Sequence, residues 1–188
     1  MLVMSLGAGV DAFIDTASGS FVLTHPDLRI RETVREFAIN ASNRRFWEPP
    51  VRRYVDECIA GAAGPRGVDF NMRWIGSLVA EVHRLLIRGG VFLYPRDSKD
   101  PKKVGRLRLI YEVNPMAMLV EQAGGTASTD RRRILEIIPH EFHQRIAVVL
   151  GPGLEVERLI RYHEAYGRGE DIIFEAPLFY SRSLFRSM

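Results

Sequence analysis

Hydrophobic and polar positions alternate in short blocks along the first half of the chain and predict a series of strands. Residues 2–6 form an apolar run typical of a buried strand. Residues 12–14 and 21–23 flank a polar turn at residues 16–19, and this arrangement predicts a β-hairpin. Further strands are predicted at residues 36–39, 91–95, 131–138 and 147–150. The pattern favours an α/β fold with a mixed β-sheet of about five or six strands, flanked by helices.

Three segments carry apolar residues at helical spacing instead. Residues 50–62 place five side chains on one face: Val51, Tyr54, Val55, Cys58 and Ile59. Residues 69–90 carry a longer stripe that ends at a glycine pair: Ile75, Leu78, Val79, Val82, Leu85 and Leu86. Residues 154–166 turn a third set inward: Val156, Leu159, Ile160 and His163. These faces are predicted to pack against the sheet.

The stretch that begins at Gly105, GRLRLIYEVNPMAMLVEQAGG, joins a strand to a helix through a tight turn. Alternating residues from Arg106 onward predict a strand, and Asn114 is expected to cap a helix with Pro115 at its first position. Glu112 would then lie at the end of the strand, just before the helix N-terminus. Open α/β sheets place ligand-binding groups at such points.

Composition and charge narrow the class of protein. The net charge is +3, and the basic residues are scattered in small groups without zinc-ligand spacing or an aromatic ladder. The sequence therefore favours phosphorylated small molecules over nucleic acid as partners.

The single cysteine, Cys58, excludes an internal disulfide and fits a reducing cytosol. It is predicted to be a buried small hydrophobic residue in a helix and not a nucleophile. No signal peptide or membrane segment is predicted, because the apolar start is short and interrupted by glycines. These features together predict a cytoplasmic protein.

The sequence RLRLIYEVNP followed by MAMLVEQAGG closely resembles the C-terminal part of class 1 fructose-1,6-bisphosphatases. The resemblance covers nearly the whole chain. It implies the C-terminal half of that sugar-phosphatase fold in residues 1–170, followed by an aromatic and basic tail in residues 171–188. The acidic metal-binding motifs of the family, which belong to its N-terminal half, do not occur here.

The resemblance also implies an activity. Members of the family hydrolyse the 1-phosphate of fructose 1,6-bisphosphate to give fructose 6-phosphate and phosphate, with Mg²⁺ or Mn²⁺ as cofactor. They act in gluconeogenesis or carbon fixation, and the family assembles as homotetramers in the cytoplasm.

Six residues acquire roles by the same resemblance. Glu112 is implied as a metal ligand and Arg106 as a substrate contact. Asn40 is implied to bind a substrate phosphate, and Tyr94 to contact the substrate. Arg73 and Trp74 match an arginine–aromatic pair at the sugar-phosphate site, whose arginine reaches the neighbouring subunit's active site. The family usually has Lys at the position of Arg106 and often has Tyr at the position of Trp74.

The residues alone leave other interpretations open. Glu112 could be a solvated carboxylate at a strand end, Asn40 a turn residue that bonds its own backbone, and Tyr94 a strand-end tyrosine with a hydrated hydroxyl. His140 and His143 have metal-pair spacing but lack an acidic or cysteine partner at useful spacing, so they are interpreted as structural. His83 is interpreted as a packed or capping histidine.

One glutamate cannot hold a magnesium cluster, because Mg²⁺ requires several oxygen ligands in octahedral array. The chain is therefore expected to be a partial enzyme. Two alternatives are a non-catalytic remnant that binds sugar phosphates and a sedoheptulose-1,7-bisphosphatase. In a fully extended strand Arg106 and Glu112 would be roughly 20 Å apart, so Arg106 is predicted to reach back toward Glu112 or the strand to bend.

Overall fold

A mixed β-sheet with helices on both faces organises the computed structural model, which describes residues 2–5, 7 and 9–171. The strands are β1 (Leu2–Met4), β2 (Asp11–Asp15), β3 (Phe21–His25), β4 (Glu36–Ala38), β5 (Asn71–Met72), β6 (Val91–Tyr94), β7 (Leu107–Arg108), β8 (Thr126–Ser128), β9 (Arg145–Ile146) and β10 (Val148–Gly151). The α-helices are α1 (Pro49–Ala60), α2 (Leu78–Arg88), α3 (Asn114–Gln122) and α4 (Gly153–Gly167).

The main sheet has five strands in the order β5-β4-β6-β10-β8. Strand β4 pairs in parallel with both β5 and β6, whereas β10 pairs antiparallel with β6 and β8. The α/β class and the mixed sheet of about five strands are confirmed. A separate antiparallel sheet joins β1, β2 and β3, and β7 pairs with β9.

The central strands send alternate side chains into two separate hydrophobic clusters. In β6, Phe92 packs into the cluster beside α2 and α3, whereas Val91 and Leu93 pack into the cluster beside α1 and α4. In β10, Leu150 packs into the cluster beside α2 and α3, and Val149 packs into the cluster beside α1 and α4. Because side chains alternate across a strand, a strand buried on both faces reads as a continuous apolar run. This explains why the short runs at residues 91–95 and 147–150 were predictable.

The predicted hairpin is confirmed by β2 and β3, which pair antiparallel around a turn in which Thr16 bonds Ser20. The first predicted strand, residues 2–6, is shorter and less buried than expected. Strand β1 ends at Met4, whose side chain is exposed, because β1 lies at the edge of the small hairpin sheet and not inside the main sheet.

The predicted helix at residues 69–90 begins only at Leu78. Strand β5 and a connecting loop precede it, and Ile75 and Val79 are exposed. Ile75 belongs to the loop and Val79 lies on the solvent-facing side of α2, so their spacing does not mark core positions. Leu78 packs against the core at the start of α2, and Val82 is the next buried apolar residue. His83 on the same helix is exposed, so its interpretation as a packed histidine is wrong.

Two smaller predictions also need correction. Residues 131–138 do not form a strand; a single turn of 3-10 helix, Ile134–Glu136, lies there with Ile134 buried. In α1, Ile59 lies at the margin of the buried face and is exposed.

Cys58 is buried in α1, as predicted, and burial raises the pKa of its thiol to about 12. Beyond the helix α4, Asp171 accepts a 3.0 Å hydrogen bond from Arg53. The predicted tail at residues 171–188 otherwise lies outside the described residues. In the described part of the chain no helix is both long and apolar enough to cross a bilayer.

A buried network of charges ties β4 to α2. Glu36 accepts hydrogen bonds from Arg84 at 2.8 Å and from Arg88 at 2.6 Å. Arg84 also bonds the fully buried Glu81, which in turn accepts the backbone N–H of Ile75 at 2.6 Å. The carboxylates of Glu36 and Glu81 therefore hold one face of α2 and the loop that precedes α2. Burial opposes ionisation of Glu36, but the two arginines outweigh it and hold the pKa of that carboxyl below its usual value.

We predict that Glu36→Gln lowers the free energy of unfolding at pH 7 by about 1–3 kcal/mol, because it weakens hydrogen bonds to two guanidinium groups. Since the folded-state pKa of Glu36 is lowered, its stabilisation is present above pH 4.5 and is lost as pH falls through the folded pKa. Urea unfolding at pH 7 and in steps below pH 4.5 should therefore show a difference that shrinks with acid. The exposed Glu32→Gln variant is the matched control. An equal deficit at every pH would contradict this account.

Candidate functional site

Three parallel strands end at one edge of the sheet and bring together three of the predicted site residues. Strands β4 and β6 pair with Ala38 opposite Phe92, so Asn40 and Tyr94 each lie two residues beyond that pair. On the other side of β4, the backbone N–H of Arg73 donates to Phe37, which places Trp74 at the same edge. The carboxyl edge of parallel strands is a common ligand position in α/β proteins.

The indole of Trp74 is the centre of an aromatic group at this edge. Its ring stacks on Phe92 with centroids 6.1 Å apart and an interplanar angle of 3°, and it meets Tyr94 at 5.8 Å. Phe92 is buried in the core, whereas Trp74 and Tyr94 are half-buried. The three rings form an aromatic platform that is anchored in the core through Phe92 and is accessible to solvent at Trp74 and Tyr94. This arrangement suits the apolar face of a sugar ring.

Asn40 begins a 3-10 helix, Ala41–Phe46, and caps it. Its amide oxygen accepts the hydroxyl of Ser42 at 2.6 Å and the backbone N–H of the same residue at 3.3 Å. The turn role expected from the residue type is thus present. A phosphate contact would have to come from the amide nitrogen, which is a donor and so suits phosphate oxygens.

Arg106 is held beside this edge by Asp97, a residue that the sequence analysis did not single out. Nε and Nη2 of Arg106 donate to the two carboxylate oxygens of Asp97 at 3.2 Å. Asp97 is buried and, with Asn40 and Tyr94, lines a small hollow beyond the end of β6. Its position three residues after Tyr94 is the only sequence signal that could have indicated it. The Arg106 side chain is 30% exposed and does not extend freely into solvent.

Arg73 lies next to Trp74 but faces away from the core. Its side chain is 53% exposed, and its Nε lies 3.8 Å from Glu36. Because Glu36 already accepts closer bonds from two other arginines, this contact restrains Arg73 weakly.

Glu112 does not lie at a strand end, contrary to the sequence expectation. Strand β7 stops at Arg108, and a π-helical turn, Leu109–Val113, continues directly into α3. Asn114 is therefore inside a helical segment and is not its cap. The N–H of Asn114 bonds Leu109 in a wider, π-helical turn, and Pro115 follows in the first turn of α3, where its missing N–H is tolerated.

The carboxylate of Glu112 bonds back to the end of β7. One oxygen accepts the backbone N–H of Arg108 at 2.7 Å, and the other accepts the guanidinium of Arg108 at 2.9 Å. The side chain is 30% exposed and can be reached from solvent. A metal ion bound to Glu112 would have to share or displace the Arg108 guanidinium.

The two loop histidines do not form a metal site among the described residues. His143 pairs through Nδ1 with the hydroxyl of Tyr111 at 2.6 Å and packs edge-on against Phe142. Metal-capable donors converge instead at Glu48, Asp130 and His163, whose ligand atoms all lie within 4.8 Å of one another. Sequence reasoning missed this group because its members are far apart in the chain and follow no motif spacing.

Comparisons with known proteins identify the family of the chain. The protein-family model for "Fructose-1-6-bisphosphatase, C-terminal domain" matches residues 30–164 of the chain. The chain is therefore a member of the fructose-1,6-bisphosphatase family and contains its C-terminal domain.

The relatives belong to class 1 of the family. The chain is 63% identical over 188 residues to "Fructose-1,6-bisphosphatase class 1" of Methylacidiphilum infernorum (isolate V4), with 100% of this chain and 53% of that protein covered. It is 63% identical over 187 residues to a second class 1 enzyme, from Methylibium petroleiphilum, covering 98% and 51%. It is 60% identical over 187 residues to a third, from Hydrogenophilus thermoluteolus, covering 99% and 51%. The chain thus spans about half the length of the curated relatives it matches.

We predict that Asp97→Asn lowers the free energy of unfolding by about 1–3 kcal/mol, because a buried carboxylate that holds a guanidinium is replaced by a weaker acceptor. Urea denaturation measures the change. Asp100→Asn in the following loop is the matched control; that carboxylate pairs only at the surface with Lys103 and should have little effect. Equal effects of the two substitutions would show that Asp97 does not organise this loop.

Proposed function

We propose that this chain supplies the sugar-phosphate-binding part, and one metal ligand, of a fructose-1,6-bisphosphatase. The reaction is the hydrolysis of the 1-phosphate of fructose 1,6-bisphosphate to give fructose 6-phosphate and phosphate. The observation that carries the proposal is the convergence of Asn40, Trp74 and Tyr94 at the carboxyl edge of three parallel strands, in a chain of this family.

The edge offers the groups that a sugar phosphate requires. The aromatic platform of Trp74 and Tyr94 can cover the sugar, and Tyr94 and Asn40 can donate hydrogen bonds to phosphate oxygens. Arg106 supplies a positive charge whose planar guanidinium can bind two phosphate oxygens. Asp97 would act as a positioning residue, because its two bonds fix the orientation of that guanidinium.

Arg73 is proposed to act across a subunit interface. Its exposed side chain and single long contact to Glu36 leave it able to reach a ligand in a neighbouring copy. This fits a homotetramer, and we propose that assembly in the cytoplasm, where the buried thiol of Cys58 would stay reduced.

Glu112 suits Mg²⁺ or Mn²⁺, because hard cations of this kind prefer carboxylate oxygens. Its exposure permits access, and Arg108 would have to release one carboxylate oxygen. One carboxylate is too few for an octahedral ion, so we propose that the other oxygen ligands come from residues outside this chain. Bound there, the metal would activate water and neutralise the phosphoryl oxygens.

An apolar groove of about 520 Å³ offers a binding site for a segment of a partner. The groove is lined by residues of β1, α2 and α3: Val3, Ala80, Val82, Leu86, Met116 and Leu119. In the same three-stranded sheet as β1, Phe21, Val22 and Leu23 of β3 are all exposed. Exposed apolar surface of this kind indicates an interaction site. We propose that this groove packs against the half of the enzyme that lies outside the part of the relatives that this chain matches.

A second candidate is a binding protein without turnover. The observation that favours it is that both oxygens of Glu112 already accept hydrogen bonds from Arg108. In that case the chain would bind fructose 6-phosphate with the same affinity after Glu112→Gln.

We predict that the chain with Mg²⁺ releases no phosphate from fructose 1,6-bisphosphate by itself. Activity should appear when it is mixed with the separately expressed N-terminal half of the Methylacidiphilum infernorum relative, because that half would supply the missing carboxylates. In the mixture, Glu112→Gln should lower phosphate release by at least ~100-fold, since removal of even an outer-shell partner costs 10–100-fold. Glu141→Gln, the same change at an exposed position, is the control.

The outcomes of this experiment distinguish the partial enzyme from the binding protein without turnover. Activity in the mixture that survives Glu112→Gln would contradict the metal role of Glu112. Binding without activity in any mixture would favour the binding protein. Activity of the chain alone, lost in Glu112→Gln, would show that it assembles its own metal site and would contradict the partial enzyme.

A further inference from the structure

The buried imidazole of His163 lies between the carboxylates of Asp130 and Glu48. None of the three residues is on the element that carries Glu112. His163 belongs to α4, Asp130 follows β8, and Glu48 precedes α1. Nε2 of His163 is 3.6 Å from Asp130 Oδ2, and Nδ1 is 3.9 Å from Glu48 Oε2. These separations are too long for hydrogen bonds. One ligand atom from each of the three residues lies within 4.8 Å of the other two. Two ligands of a tetrahedral ion with bonds of about 2.1 Å are roughly 3.4 Å apart, so a modest closure of the group brings three ligand atoms to a shared ion.

Three of the four polar atoms that face one another in this group have no hydrogen-bond partner among the described residues. Both ring nitrogens of His163 and Oδ2 of Asp130 are buried and make no hydrogen bond. The two side chains are only 2% and 0% exposed. Buried polar atoms are nearly always paired, and each exception requires an explanation. An ion that the three residues share would satisfy Oδ2 of Asp130 and one ring nitrogen of His163.

Arg131 closes one side of the group but does not neutralise it. Its guanidinium donates to Oδ1 of Asp130 at 2.8 Å and to Glu48 at 3.2 Å. Burial lowers the pKa of His163 to about 3, with a further contribution from Arg131, so the imidazole is neutral. The positive charge of Arg96 also acts on Asp130, more weakly than that of Arg131. The group therefore places two carboxylates beside a neutral nitrogen donor.

Asp130 is fully buried and is held in a strained backbone conformation. Its backbone has φ +75°, a left-handed conformation that favours glycine. Strained residues of this kind persist where the surroundings fix them, often at ligand sites.

We propose that Glu48, Asp130 and His163 form a zinc-binding site, in which one atom from each residue binds the ion. The site is structural, because it joins the start of α1, the turn after β8 and the middle of α4. It is separate from the metal site proposed at Glu112 and does not depend on the proposed phosphatase activity.

The ligand types select zinc over magnesium. Imidazole with carboxylates is a common zinc set, whereas Mg²⁺ prefers an all-oxygen octahedron and keeps most of its waters. A neutral histidine needs no deprotonation before it binds. With three protein ligands, water would complete the four-coordinate zinc.

Zinc titration of the tag-free 188-residue chain, stripped with chelator and dialysed, tests the proposal. We expect one Zn²⁺ per chain with a Kd below roughly 10 µM, within the range of protein metal sites. Thermal unfolding should shift upward by roughly 5–10 °C when free Zn²⁺ is 100 times the Kd. Millimolar Mg²⁺ should not displace the zinc, and Co²⁺ should give a tetrahedral absorption spectrum without a thiolate band.

Two variants identify the ligands. Asp130→Gly should fold, because glycine suits the positive φ, and should weaken zinc binding at least ~10-fold. Without zinc its melting temperature should equal or exceed that of the parent chain, since a strained, desolvated carboxylate is removed. His163→Gln should weaken zinc binding similarly.

The exposed pair His140 and His143 is the control, because HxxH could bind zinc at the surface. The double substitution His140→Gln and His143→Gln should leave affinity and stoichiometry unchanged. Zinc binding that is lost in this control but kept in Asp130→Gly would overturn the proposal. So would the absence of saturable binding at millimolar free zinc.

Discussion

The structure depends on the burial of the central strands on both faces. Strand β6 can lie in only one register, because Phe92 must enter one hydrophobic cluster while Leu93 enters the other. A slip by one residue would exchange these side chains between two cores of different shape. The same register places Tyr94 level with Asn40 at the edge of the sheet. The position of the candidate site is therefore a consequence of core packing.

Charged side chains then fix the positions of the groups that lie in loops beyond the strand ends. The loop between β5 and α2 carries Trp74 and is tied to the helix by the buried carboxylate of Glu81, which accepts the N–H of Ile75. Asp97 does the same for Arg106 after β6. Buried ion pairs add little net stability but are costly to break, so they favour one geometry. Here they hold two groups proposed to face the substrate.

The sequence predicted the parts of this arrangement that depend on local pattern. The doubly buried runs identified β6 and β10, and the polar turn identified the β2–β3 hairpin. It failed where a local pattern was overruled: Ile75 has helical spacing but belongs to a loop, and a π-helical turn takes the place of the expected strand end before Asn114. Asp97 has only its position after Tyr94 as a sequence signal and Asp130 has none, because the roles of both come from contacts made in the folded chain.

The central claim is that the carboxyl edge of the parallel strands binds a sugar phosphate. Titration of the ¹⁵N-labelled chain with fructose 6-phosphate, followed by NMR, tests it most directly. The account predicts saturable shifts of the Trp74 indole N–H and the Asn40 side-chain amide, which are absent with unphosphorylated fructose. Saturable shifts confined to other parts of the chain, or none at all, would contradict it.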